Sequence, residues 1–264
     1  MPTALITGAT SGIGHEFAVQ LAARGHDLVV VARNTERLEQ VAQRLRDVQG
    51  VEVEVLTADL SDREALQRVA DRVADEGRPV DVVVNNAGYG LKKRFVDNDL
   101  SVEEAHFDVH ARATLVLSHS AARAMRGRDR GTIVNVSSVA SFLATGTYSA
   151  AKSYVTVFTE GLAGELRGTG VQATAVCPGW VTTEFQERAE IGSPGPKFMW
   201  LETERVVRQA LDDAGRGRVV SVPSAQYKAA VGVLRFVPRS LVRRDMRSFS
   251  LSRLFRPGRP ARTT

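Results

Sequence analysis

The chain has 264 residues, 43% of them hydrophobic, and one cysteine, Cys177, which excludes an internal disulfide framework and a cysteine-based zinc site. Its formal charge is +5, yet residues 225–264 hold ten Lys/Arg against a single acid, Asp245, so the preceding residues are net negative. The basic balance belongs to the tail, and it does not argue for a nucleic-acid function of the fold.

"TALIT" (3–7) opens the chain as a buried strand and leaves no room for a charged n-region or apolar h-region. No apolar run approaches the ~20 residues that span a bilayer, so a cytoplasmic location is the expectation. Further strands are predicted at 27–32, 51–57, 80–85, 131–137, 171–177 and 217–222. Most are Val-rich without clean alternation, as strands covered on both faces are. Only 51–57 alternates, as a strand with one polar edge would. Helical patterns lie between them at 13–24, 35–48, 62–76, 102–126, 148–168 and 203–214. Strands separated by helices imply right-handed crossovers. The expected fold is α/β: a doubly wound, Rossmann-type, mainly parallel sheet of seven strands in one catalytic domain, 1–224, with a basic, partly amphipathic extension, 225–264.

Between the first strand and first helix stands "TGATSGIG", residues 7–14. Backbone N–H groups and the helix dipole at such a turn favour a pyrophosphate. Gly8 allows the sharp turn, Gly12 the close approach of a phosphate and Gly14 tight packing of the helix on the sheet.

"TGATSGIG", "NNAG" (85–88), the serine pair 137–138, "YSAAK" (148–152) and "CPGWVTTEF" (177–185) follow one another in that order. Together, across residues 1 to 222, they resemble the short-chain dehydrogenase/reductase family in its compact single-domain branch. G-x-x-x-G-x-G is that branch's form of the cofactor turn. The resemblance implies hydride transfer between a nicotinamide and a carbonyl or secondary alcohol.

Tyr148 and Lys152, four apart, share one helix face. A free tyrosine, with pKa near ~10, is a poor acid–base group at neutral pH, and lowering it by ~2–3 units needs roughly 3–4 kcal/mol. An ammonium ~4 Å away at an effective dielectric of ~20 supplies about that. The expectation is a tyrosine acid whose pKa is lowered by lysine, which is also what the resemblance implies. Ser138 ends the fifth strand, where a hydroxyl can hydrogen-bond a reacting carbonyl, and the resemblance selects it over Ser137. It precedes the tyrosine by ten residues, against thirteen in many relatives, which shortens one wall of the pocket. His110 stands where many relatives carry an asparagine that passes protons from lysine to water through its backbone carbonyl, and it is expected to keep that place in the relay. His15, His26, His106 and His119 form no ligand-like pattern with it, so no metal is expected.

At the end of the second strand, Ala32 occupies the place where NAD-preferring sites carry an acid, and Arg33 follows. A guanidinium there can pair with a 2′-phosphate, so NADP(H) is favoured while NAD(H) stays open. By resemblance, the turn residues Gly8, Thr10, Ser11, Gly12, Ile13 and Gly14 hold the pyrophosphate. Asp59 and Leu60 lie by the adenine, and Asn86, Ala87 and Gly88 wall its ribose. Lys152 reaches the nicotinamide ribose beside Tyr148, and Pro178, Gly179, Val181 and Thr183 lie near the carboxamide. Asn85 is expected to brace strands.

Residues 184–204, with Phe185, Phe198, Met199 and Trp200, fall where the family builds a substrate lid, and their apolar character favours a ketone, aldehyde or acyl substrate. Beyond them, Arg235, Arg239, Arg243 and Arg247 recur every fourth residue among apolar positions. A basic amphipathic helix pair broken near Pro238 could lie on an anionic membrane surface or pack on the protein. A homo-oligomer (dimer or tetramer) is usual in the family. The alternative to an enzyme is an NADP-binding sensor or scaffold, against which the intact Ser138, Tyr148 and Lys152 speak.

Overall fold

The first strand, β1 (Thr3–Thr7), is buried almost throughout and takes a central position with β4 (Val82–Asn85) on one side and β2 (Asp27–Ala32) on the other. The structure, a computed structural model, describes residues 1–183, 199–234 and 236–238. Beyond β2 lies β3 (Val53–Thr57); beyond β4 come β5 (Gly131–Val136), β6 (Val171–Val176) and β7 (Val220–Ser221), giving the order β3-β2-β1-β4-β5-β6-β7. All six pairings are parallel.

Two cores flank the sheet. Phe17, Leu21, Leu38, Leu45, Val207 and Leu211 fill one, from α1 (Gly12–Ala23), α2 (Thr35–Gln49) and α7 (Thr203–Gly215). Leu66, Val69, Leu117, Ala121 and Met125 fill the other, from α3 (Arg63–Ala74) and α5 (Ala113–Gly127), beside α6 (Gly146–Glu165). Burying each large side chain contributes about 1.5–3 kcal/mol, which explains why β1, β2, β4 and β5 carry apolar residues toward both faces. β3 is the edge expected from its alternation: Glu54 there pairs with Arg72 Nε at 2.8 Å.

Three boundaries differ from the sequence reading. The long helix expected at 102–126 is α4 (Leu100–Phe107), a π-helical turn (Asp108–Arg112) and α5. The seventh strand shrinks to two residues, since only Ala175 and Val176 of β6 pair with it. The expected tail begins with α8 (Ala225–Leu234), which the buried Tyr227 docks on the body: its ring covers Gly179, and its hydroxyl accepts from Trp180 N–H at 3.1 Å and donates to Met199 C=O at 2.9 Å. The arginine repeat at 235, 239, 243 and 247 lies outside the described residues, as do Phe185 and Phe198. No helix among the described residues is long and apolar enough to cross a membrane.

Candidate active site

Parallel strands bring all their carboxyl ends to one edge, and the order reverses between β1 and β4, where such sheets open a crevice for a ligand. The turn residues Gly8–Gly14 leave β1 there, Arg33 leaves β2, Asp59 and Leu60 follow β3, Asn86–Gly88 follow β4, Ser138 follows β5 and Pro178–Thr183 follow β6. Apart from Tyr148 and Lys152 on α6, every residue singled out in the sequence for the cofactor therefore lies along that edge.

Within the β1–α1 turn, Gly8 and Gly12 have φ of +68° and +54°, a region costly to side-chain-bearing residues. A Cβ on Gly14 would overlap Gly8 O and Asn86 Nδ2, so glycine is what lets α1 approach the turn. Helices α2 and α3 are capped by the side chains of Asn34 and Asp62, whereas Ser11 makes no such cap for α1, whose first turn contains no acid. The N–H groups opening α1 thus suit an anionic guest. The turn is braced from below: Thr7 Oγ1 accepts from the N–H groups of Asn86 and Ala87 at 2.9 and 3.0 Å, and Asn86 Nδ2 donates to Thr7 O at 3.0 Å. The Asn86 side chain is committed to this bracing. Leu60 likewise sends its side chain into the core, which leaves its backbone for the cofactor side.

Asn85 bridges elements. Its Nδ2 donates to Asn135 Oδ1 at 2.8 Å and Ser118 Oγ at 3.1 Å, and Asn135 Nδ2 donates to Thr159 Oγ1 at 2.9 Å. This network ties β4, β5, α5 and α6 together beneath the site. Ser137 adds to it, donating to Lys152 O at 2.8 Å beside Thr156 Oγ1 at 2.7 Å. The next serine faces the other way: Ser138 Oγ accepts from Ala140 N–H at 3.1 Å and hydrogen-bonds the Tyr148 hydroxyl.

Tyr148 and Lys152 stand one turn apart on α6, with the ammonium 5.9 Å from the phenol ring centroid. Here the structure corrects the electrostatic expectation. Burial pushes the Tyr148 pKa up to about 12 against the opposing Ser138 hydrogen bond, and burial lowers Lys152 to about 8. The Lys152 ammonium donates to Val136 O at 2.7 Å. Tyr148 is therefore held in its proton-donating form at neutral pH.

Behind the pair lies a cluster in which His110, expected from the sequence, is joined by His106 and Glu103, which were not. His110, in the π turn, has Nε2 3.0 Å from Tyr89 N and 2.9 Å from Tyr89 O. The His106 ring packs 4.3 Å from it, and the two rings lie 6.2 Å (His106) and 5.6 Å (His110) from that of Tyr148. Burial, then the Lys152 charge, lower both imidazoles, His106 to about 4, with Glu103 working the other way. Both rings are neutral at pH 7. The signal in the sequence was the 103–106–110 spacing, three then four, which places a glutamate and two histidines on one helix face.

On the adenine side, the exposed Arg33 guanidinium lies 3.9 Å from Asp59. Burial raises the Asp59 pKa, but hydrogen bonds from the Ser61 N–H and hydroxyl, helped by Arg33, outweigh it and hold the net value low. Arg112 Nη2 donates to Ser61 O at 2.9 Å and its Nε to Asp108 at 2.7 Å, fastening the π turn to this corner. Across the crevice, Val181 pairs with Leu201 and the Trp180 and Trp200 rings lie 5.7 Å apart.

The family model for short chain dehydrogenases matches residues 2–192. The chain belongs to the short-chain dehydrogenase family. It is 33% identical over 193 residues to an uncharacterised oxidoreductase of Staphylococcus saprophyticus, covering 72% of this chain and 82% of that protein. It is 32% identical over 221 residues to the very-long-chain 3-oxoacyl-CoA reductase of Anas platyrhynchos, covering 80% and 68%. A short-chain dehydrogenase from Sphingobium yanoikuyae, solved in complex with NADPH, superimposes with a TM-score of 0.83 at 33% identity, covering 100% of this chain and 99% of that one. As a short-chain dehydrogenase, the protein is an oxidoreductase that acts on small molecules with a nicotinamide cofactor. The turn, with its uncapped helix and glycine-lined floor, fits such a group.

Proposed function

We propose that this short-chain dehydrogenase is an NADPH-dependent reductase of apolar ketones, aldehydes or 3-oxoacyl thioesters. The observation that carries the reading is the meeting of Ser138, Tyr148 and Lys152 at the carboxyl ends of β4 and β5, beside the β1–α1 turn. NADPH, when bound, supplies the hydride. Ser138 holds the carbonyl oxygen by hydrogen bond, and Tyr148, protonated because of its burial, gives that oxygen its proton. Lys152 would hold the nicotinamide ribose of the bound cofactor, and it returns the proton to Tyr148, with His110 behind it. Gly8, Thr10, Ser11, Gly12, Ile13 and Gly14 hold the pyrophosphate on the N–H groups of α1. Asp59, with the Leu60 backbone, takes the adenine, while Ala87 and Gly88 border its ribose and Asn86 supports them. Pro178, Gly179, Val181 and Thr183 border the carboxamide.

NADPH is preferred because Arg33 is exposed and only loosely paired, at 3.9 Å, with Asp59. The NADPH complex of the Sphingobium relative supports that preference, and the 3-oxoacyl-CoA reductase relative supports an acyl or apolar substrate. The reading includes a cytoplasmic, homo-oligomeric enzyme whose basic tail serves assembly or an anionic surface. The test is oxidation of NADPH and NADH over a graded panel of ketones, aldehydes and 3-oxoacyl thioesters. Turnover with NADPH over NADH that rises with chain length is expected; turnover restricted to NADH or to sugars refutes the reading.

A further inference from the structure

Glu103, His106 and His110 project from one face of α4 and the π turn, and among the described residues four of their buried polar atoms have no hydrogen-bond partner: Glu103 Oε2, both His106 nitrogens and His110 Nδ1. Tyr89's backbone lies near enough to His106 to bias its ring without satisfying it. Buried polar groups in proteins are almost always satisfied. Four orphans in one stripe, ending beside a buried lysine and tyrosine, call for a function or a row of small polar guests such as water.

The two ends of the stripe are distinct. At the inner end, the Lys152 charge acts on both imidazoles, and both rings flank Tyr148. At the outer end, Asn98 Nδ2 donates to Glu103 Oε1 at 2.9 Å, and Asn98 is only half-buried, with the exposed Asp97 and Asp99 on either side. Between them, the His106 and His110 rings are 4.3 Å apart. The anchoring of His110 suits repeated proton exchange. Tyr89 offers its N–H to an unprotonated Nε2 and its C=O to a protonated one, so either tautomer keeps a bond and Nδ1 is left to accept or donate. The charged groups around the stripe are Lys152, Glu103 and Asp108, with the Tyr89 and Tyr148 phenols.

We propose that Glu103, His106 and His110 form a buried proton conduit from the surface at Asn98 to Lys152. It restores to Tyr148 the proton consumed in each reductive turnover. The inference rests on the reductase reading above, and it routes protons through side chains, not through the backbone carbonyl expected at position 110. The Tyr148 O–H bond breaks as the substrate O–H bond forms. A Lys152 N–H proton then moves to the phenolate oxygen. Solvent protonates the Glu103 carboxylate, which passes the proton to one His106 nitrogen as His106 gives the proton on its other nitrogen to His110 Nδ1, with a water bridging wherever two groups do not touch. The His110 imidazolium so formed, its Nε2 held by Tyr89 C=O, releases that Nδ1 proton to the lysine nitrogen. One proton enters for each one used, and no electrons move. His106 and Glu103 touch neither substrate nor cofactor; they act as positioning residues for the proton.

The test compares wild type, His106→Gln and Glu103→Gln in the reduction of a medium-chain 3-oxoacyl thioester. NADPH and its 4-deuterated form are used, each in H2O and D2O, with Tyr148→Phe as control. In both variants kcat should fall about tenfold or more, the lower part of the range for lost proton transfer. The solvent isotope effect should rise, the isotope effect of the deuterated cofactor should shrink toward unity, and NADPH affinity should be unchanged. A packing role alone would lower kcat with both isotope effects at wild-type values, and that result overturns the conduit, as does an unchanged kcat. If His106→Gln fails to bind NADPH, the nearly isosteric Glu103→Gln decides by the same criteria. Full turnover in Tyr148→Phe would sink the reductase reading itself. Loss in Tyr148→Phe with wild-type kinetics in the other two sinks only the conduit.

Discussion

Acid should unfold this protein partly through His106. In the fold its pKa is lowered from 6.5 to about 4 by burial and by Lys152. Between those values the unfolded chain binds a proton that the folded chain refuses, so stability is full above pH ~6.5 and is lost as pH falls toward ~4. The whole shift corresponds to about 3 kcal/mol, and screening by nearby solvent reduces it to about 2 kcal/mol. His110, completely buried and shifted the same way, adds to the loss. Many carboxylates also titrate in this range, so the measurement is a difference of differences. Urea unfolding of wild type and His106→Gln is followed at pH 7 and pH 4. The variant should lose about 2 kcal/mol less than wild type over that span. Parallel losses in the two proteins would refute the claim that His106 is held neutral in the fold.

Other outcomes follow from the same geometry. Arg33→Ala should raise the KM for NADPH about 10- to 100-fold, the value of one charge-assisted bond, and leave that for NADH nearly unchanged; equal effects on both would remove Arg33 from the phosphate site. Gly14→Ala should cost about 1–3 kcal/mol from overpacking against Gly8 O and Asn86 Nδ2, read as a fall in Tm with weakened NADPH binding. The rate of reduction should decline above pH ~8 as Lys152, whose pKa is about 8, loses its proton, while Tyr148, at about 12, stays protonated. A flat profile to pH 10 would contradict that assignment.

The fold could be read in the sequence because its signals are local and repeated. Val-rich runs such as 27–32 and 82–85 have to be covered on both faces, and only helices between parallel strands do that. The glycine turn and the Tyr148–Lys152 pair were legible for a related reason, since their chemistry depends on short spacings at a strand end or on one helix turn, whereas Ser138 was selected over Ser137 by family resemblance. What was missed depends on tertiary context. The π turn at 108–112 leaves no mark in composition, yet it sets the place of His110. The direction of the Lys152 ammonium, toward Val136 O and not the phenol, depends on where β5 ends. Over 100–107 the usual polarity of a surface helix is reversed, with Glu103 and His106 buried on the inner face and Leu100 and Phe107 exposed. Tyr227 offered no sequence cue at all; its hydroxyl bridge to Trp180 and Met199 joins segments far apart in the chain.

The central claim is that Tyr148 gives the carbonyl oxygen its proton, and the most direct measurement is steady-state reduction by Tyr148→Phe beside its NADPH dissociation constant. The account predicts a fall in kcat of about 10²- to 10⁴-fold with NADPH bound as tightly as by wild type. Turnover within a few-fold of wild type would contradict it.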